Sequence, residues 1–229
     1  MNRNNTCYKG IGRKGITIAF LGIDGTGKST HAEKINAWLH ENEIRSVVVP
    51  FHKWFFVDIL KKKFGNYVDK GRNKKSLRPY TPKRHSLAAV VKPIAALIDN
   101  ICMYYLIKWK YMNYDVIIFD RFICATLIKG KALNYHADWL RPIWQNIRTD
   151  IVMVLDAPIQ KSIHEIEDRG NHILYTSEQL MLERKEYFCI AKRFNYPIFD
   201  TSKSFEISHE EIKRYLGRML SSSDTIGGN

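Results

Sequence analysis

An apolar run, Ile16-Thr17-Ile18-Ala19-Phe20-Leu21, leads straight into Gly22-Ile23-Asp24-Gly25-Thr26-Gly27-Lys28-Ser29, and a helix-like stretch follows from Ser29 to Glu41. Strand, glycine-rich turn and helix in that order form the setting of a phosphate-binding loop. Glycines let the backbone wrap closely around phosphate oxygens with several N–H groups pointing inward, and the helix adds its positive N-terminal end. In this pattern Lys28 reaches the β- and γ-phosphates of a nucleoside triphosphate, and the Ser29 hydroxyl sits on Mg²⁺. The competing reading is a plain strand-to-helix turn with a chance Lys-Ser; the flanking strand and helix favour the phosphate loop. Gly22, Asp24, Gly25, Thr26, Gly27, Lys28 and Ser29 are the expected nucleotide contacts, with ATP and Mg²⁺ as cofactors.

Short apolar runs alternate along the chain with longer helical patterns, which argues for a parallel sheet with crossover helices. The expected strands are 16–21, 46–50, 116–119, 151–155 and 197–199, rich in β-branched or aromatic residues and lacking alternation, as in strands buried on both faces. Helices are expected over 29–41, about 85–112, 137–146, 159–168, 177–194 and 208–220, with Pro93 marking a first turn or a kink in the long one. The fold class is therefore α/β, a five-stranded parallel sheet flanked by helices. We expect a single domain over about 15–220, a flexible basic N-terminus over 1–14 and a flexible tail over 221–229.

No stretch approaches the roughly 20 apolar residues of a membrane span, and the N-terminus lacks the apolar core of a secretory signal. Cys7, Cys102, Cys124 and Cys189 form no CxxC pair and read as free thiols, mostly in the core, which points to a reducing, cytoplasmic setting. The net charge of +13 is concentrated: Lys61 to Arg84 holds ten basic residues and one acidic, Asp69. That segment reads as a solvated insertion about 61–84 near a phosphate-handling site. A nucleic-acid partner is the second reading, weakened by the lack of a recognition motif.

In such sheets ligands sit at the carboxyl ends of the strands. Val116-Ile117-Ile118-Phe119 delivers Asp120-Arg121 to such an end, an acid for the metal side and a planar donor fork for an anionic acceptor. Asp156 and Asp200-Thr201-Ser202 end the next two strands, and Arg169-Gly170 opens a short lid-like segment about 169–177.

Taken together, Gly-Ile-Asp-Gly-Thr-Gly-Lys-Ser-Thr, Phe119-Asp120-Arg121-Phe122, Leu155-Asp156-Ala157-Pro158 with Arg169-Gly170, and Phe199-Asp200-Thr201-Ser202 resemble the thymidylate kinase family from about Ile16 to Leu220. The resemblance implies a three-layer P-loop kinase fold and transfer of the ATP γ-phosphoryl to a nucleoside monophosphate, dTMP foremost. It implies that Lys28, Ser29 and Thr30 hold phosphates and metal, and that Asp24 faces the acceptor's sugar. Asp120 and Arg121 would lie between donor and acceptor, with Ser29 and Asp120 serving the metal. Arg169 would be a catalytic lid residue, and Thr201 and Ser202 would lie near the adenine. It also implies a homodimer through helices packed on the sheet, for which Ile101–Tyr111 is the candidate; a stripe that is simply core is the competing and commoner reading.

The acceptor side departs from the family. After the second strand the chain reads Val49-Pro50-Phe51-His52-Lys53-Trp54 in place of Arg-Glu-Pro, leaving Lys53 or His52 as the phosphate contact. Asp99 is kept in the base-recognition segment, but Asn100 stands where the family has Arg; Asp99 as a locally paired helix carboxylate is the competing reading. Ile123 to Gly130 replaces the family's small and polar residues leading to Tyr-Gln. A different acceptor, or a nucleic-acid-associated nucleotide-binding protein, is the alternative function. Deoxynucleoside kinases normally carry a catalytic Glu after the second strand, and no Glu occurs between Glu43 and Glu165.

Overall fold

The structure, a computed structural model, describes residues 15–51, 87–133, 135, 138–168 and 176–223. Five parallel strands stand in the order β2-β3-β1-β4-β5: β1 (Ile16–Leu21), β2 (Ser46–Pro50), β3 (Val116–Asp120), β4 (Ile151–Asp156) and β5 (Ile198–Asp200). The helices are α1 (Lys28–Glu41), α2 (Leu87–Lys110), α3 (Ile123–Ala132), α4 (Arg141–Gln145), α5 (Ile159–Asp168), α6 (Ser177–Phe194) and α7 (Phe205–Ser223).

Sequence and position in the sheet agree. β1 and β3 are central and buried along their whole length, whereas edge strand β5 buries only Phe199. The period-2 pleat sorts β1 between two cores. Ile16, Ile18 and Phe20 pack with Ala32, Ile35 and Leu39 of α1 and with Ile212 and Leu216 of α7. Ala19 and Leu21 face α2, α3 and α6, beside an aromatic group in which Phe51 meets Phe119 edge-on at 5.5 Å. Helices on both faces make three layers, as expected.

Three elements differ from the sequence reading. Helix α3 departs from the sequence reading: Ile123, Cys124, Ala125, Leu127 and Ile128 are all buried, which confines the partly exposed side to Thr126 and Lys129–Lys131 and weakens the 3.6-residue signal. The 137–146 region, from Asp138 onward, is a 3₁₀ turn (Asp138–Leu140) followed by the short α4. Helix α7 starts at Phe205, ahead of the expected Ser208. Pro93 lies inside α2. The start of α6 is fixed by a capping box, in which Thr176 Oγ1 accepts from the Gln179 N–H at 3.2 Å and Gln179 Oε1 accepts from the Thr176 N–H at 3.0 Å.

By length and composition alone, Val90–Lys110 is long and apolar enough to cross a membrane, which corrects the expectation that no segment comes close. It is also a helix packed on the domain: Leu97, Met103, Tyr104 and Ile107 join the core, while Ile98, Tyr105 and Trp109 face outward. The cysteines need a second correction. Cys102, Cys124 and Cys189 are free, but only Cys124 is buried, where burial pushes its thiol up to about 12.

Candidate active site

The crossover from β1 to α1 sits where the strand order reverses, since β1 is flanked by β3 on one side and β4 on the other. The loop is shaped by backbone that ordinary residues avoid: Gly22, Gly25 and Gly27 have φ of 137°, 85° and 78°. Two of these glycines answer to protein neighbours as well. A Cβ on Gly22 would lie 2.2 Å from the Leu155 carbonyl oxygen, and one on Gly25 would lie 2.3 Å from that of Ser162. The loop is therefore clamped between the end of β4 and α5.

Within the loop, Thr26 Oγ1 donates to the Ile23 carbonyl at 2.9 Å, and the buried Lys28 Nζ donates to the same oxygen at 2.5 Å. Ser29 Oγ donates to Asp120 Oδ2 at 2.6 Å, bringing together the two residues expected to serve a metal. Asp120 Oδ1 is buried and accepts no hydrogen bond among the described residues. A carboxylate oxygen left open beside a hydroxyl is a donor set that suits a hard divalent cation. Thr30 is half-buried on the first turn of α1.

Arg121 follows directly, with φ of 76° and its N–H donating to the Phe20 carbonyl at 3.1 Å. A non-glycine residue in the left-handed region costs about 1–2 kcal/mol. That backbone turns the guanidinium back over the loop, where Nη2 pairs with Asp24 Oδ1. Nη1 is buried and finds no acceptor among the described residues. Lys129 Nζ on α3 holds the other oxygen of Asp24 at 2.6 Å.

On the β5 side, Thr201 donates from both N and Oγ1 to the Asp156 carbonyl, at 2.8 and 3.0 Å. Lys161 Nζ donates to the carbonyls of Thr201 and Ser202 at 2.9 and 3.0 Å, fixing the turn. The Asp156 carboxylate receives both arms of Arg184, at 2.6 and 2.7 Å, and so ties the end of β4 to α6. Next to the loop, His31 stacks on Phe205 with ring centroids 4.6 Å apart, and its Nδ1 lies 3.4 Å from Nδ1 of His209. Burial, and then His209, lower its pKa to about 4.

The structure thus gathers Asp24, Lys28, Ser29, Asp120 and Arg121 at one strand-end site, with Thr201 and Ser202 in the turn after β5. Asp99 is buried on α2 beside Asn100, whose amide donates to the Ala96 carbonyl at 2.7 Å. Lys53, His52, Arg169 and the basic segment 61–84 lie outside the described residues. Sequence reasoning missed Lys129, Arg184 and the buried Glu183. The replacement of the family's Tyr-Gln run by residues ending in Lys129-Gly130 was the one signal that pointed to Lys129.

No family model matches the chain. Its relatives include a probable thymidylate kinase 1 of Saccharolobus solfataricus, 27% identical over 86% of this chain and 94% of that one. A thymidylate kinase of Thermosipho melanesiensis is 24% identical over 89% of this chain and 98% of its own. Among solved structures, deoxyadenosine kinase from M. mycoides superimposes with a TM-score of 0.57 at 21% identity, covering 89% of this chain and all of that one (100%). Thymidylate kinase from Ehrlichia chaffeensis gives 0.56 at 16% identity, over 89% and 99%. The chain is similar to thymidylate kinases over nearly its whole length and shares its fold with thymidylate and deoxyadenosine kinases.

Proposed function

We propose that the chain is an ATP- and Mg²⁺-dependent kinase that phosphorylates a nucleoside monophosphate, with dTMP, converted to dTDP, as the leading acceptor. The observation that carries this reading is the meeting of Ser29 with Asp120, and of Arg121 with Asp24, at the mouth of one glycine loop. Phosphoryl transfer asks mainly for positioning and charge neutralisation. Bound Mg²⁺ supplies part of that neutralisation. Ser29 and Asp120 would hold it, and one carboxylate oxygen of Asp120 has no hydrogen-bond partner among the described residues. Lys28, now folded onto the Ile23 carbonyl, swings to the β- and γ-phosphates. Arg121 offers Nη1 to the phosphoryl group between donor and acceptor, and Arg169 is the second cation we assign to that group. The turn of Thr201 and Ser202 borders the adenine.

An acceptor phosphate is already ionised and needs no base. A nucleoside hydroxyl would need one, and the stretch without Glu from Glu43 to Glu165 disfavours it. Asp24, Asp99 and Lys53 are the acceptor contacts we assign beside Arg121. The similarity to thymidylate kinases and the free thiols Cys102, Cys124 and Cys189 support a cytoplasmic enzyme. The outward face of α2, with Ile98, Tyr105 and Trp109, is the surface we assign to a homodimer.

A panel of deoxynucleoside monophosphates, nucleosides and sugars, read by ADP release, tests this reading. Saturable release with one monophosphate and little salt sensitivity is expected. ATP binding with no acceptor consumed, together with salt-sensitive nucleic-acid binding, would favour the nucleic-acid-associated alternative.

A further inference from the structure

Helix α6 sorts its side chains by face. Glu183 and Tyr187 are buried, and Glu186 accepts from Lys131 of α3 at 2.6 Å. Positions 181, 184, 185, 188, 189 and 192, spaced by threes and fours, form a separate stripe. That stripe and Ile159, at the start of α5, bound an open-sided pocket of about 360 Å³. Small-molecule sites run from about 300 to 1,000 Å³, so the pocket suits a compact ligand.

The lining has an apolar part and a cationic part. Ile159 is buried, Phe188 is half-buried, and Met181 is 55% exposed at the edge. Beside them stand Arg184, Lys185 and Lys192, and no acid is among the described residues that line the pocket. Arg184 is committed elsewhere: it gives both arms to Asp156 and lies over the Phe188 ring, 5.3 Å from its centroid. Lys185 and Lys192 are exposed and make no hydrogen bond or ion pair among the described residues. Glu165, Glu167 and Asp168 of α5 lie outside the lining, and the sequence 169–175 contains no acid. An apolar wall draws a ligand's body out of water whatever its charge. Two uncommitted ammoniums beside that wall then favour an anion over a cation.

We propose that this pocket between α5 and α6 binds a small organic anion, an aromatic or branched apolar body bearing a carboxylate, sulfonate or phosphate. The body lies against Ile159, Met181 and Phe188, and the anionic group meets Lys185 or Lys192. Phe188 offers a flat face, and the unbranched Met181 adapts to the shape of the ligand. Arg184 shapes the wall without releasing Asp156. No residue of the glycine loop or of the 201–202 turn lines the pocket, so the site is separate from the strand-end site and stands independently of the kinase reading.

The test uses anilinonaphthalene sulfonate, a fluorescent aromatic anion, with uncharged phenylnaphthylamine as control, on the full chain with excess Mg²⁺ and ATP. The anion is expected to bind and to stay bound as ATP is added. Lys185→Gln combined with Lys192→Gln should weaken the anion about 5- to 10-fold and leave the uncharged dye within about twofold. Phe188→Ala should weaken both dyes, and circular dichroism checks the fold of each variant. Cys189, exposed in the pocket wall, gives a readout that needs no variant. At about ten times its dissociation constant, the anion should slow iodoacetamide alkylation of Cys189 about tenfold, read by peptide mass spectrometry, with Cys102 of α2 unchanged. Unweakened anion binding in the double lysine variant would overturn the inference, as would alkylation of Cys189 at an undiminished rate. Displacement of the anion by ATP would place it at the glycine loop, and protection of Cys102 in place of Cys189 would place it on α2; either result also overturns the inference.

Discussion

Toward α1 and the turn after β5, the site is held by backbone. Three glycines in the left-handed region shape the loop, and Lys161 gathers two carbonyls of the 201–202 turn. Toward α3 and α6 it is held by side-chain charge, with Asp24 between Arg121 and Lys129 and Glu183 buried behind them. The first half is fixed before any ligand arrives. The second is assembled from side chains far apart in the sequence, so backbone geometry and side-chain charge are separable supports of one site.

The separation can be broken or sharpened by substitution. The largest effect is expected from Lys28→Ala, which removes the cation that neutralises the transferring phosphoryl. Turnover should fall on the order of 10³-fold or more with the fold intact, as read by ADP release and circular dichroism. Unchanged turnover would sink the donor assignment. Next comes Gly25→Ala, which drives a Cβ to 2.3 Å from the Ser162 carbonyl oxygen at a φ of 85°. Denaturant unfolding should show a loss of about 2–4 kcal/mol. Wild-type stability there would mean that the loop is not clamped on α5.

Asp156→Ala unties the end of β4 from α6. Because Arg184 is partly exposed, the expected loss is smaller, about 1–2 kcal/mol. Unchanged stability in denaturant unfolding would mean that the Arg184 pair does not hold the end of β4.

The smallest effect concerns pH. The His31 pKa is lowered to about 4 in the folded chain, below its ordinary value of 6.5, so the unfolded chain binds the extra proton first. Its contribution is fully present above 6.5 and is lost as pH falls toward about 4, on the order of 1–2 kcal/mol after solvent screening. His31→Leu should flatten that part of the stability–pH curve. His209, lowered by burial in the same stack, would leave a residual slope.

What was legible in the sequence follows the same division. Glycine spacing, buried strands and the Asp-Arg at a strand end are local patterns, and each found its expected place in the sheet. The charge network was not legible, because Asp24 and Lys129 are 105 positions apart and Glu183 sits on a third element. Nothing in Leu182-Glu183-Arg184 says which of the two charged residues turns inward; the packing of α6 on α3 decides it. Helix α3 stayed hidden because burial on most sides weakened its period.

The central claim, transfer of a phosphoryl group from ATP to a monophosphate, is tested most directly by phosphorus NMR of the full chain with ATP, Mg²⁺ and dTMP. Resonances of ADP and of a deoxynucleoside diphosphate are expected to grow together at equal rates. ADP appearing with free phosphate, and no diphosphate formed from dTMP or any other monophosphate, would contradict it.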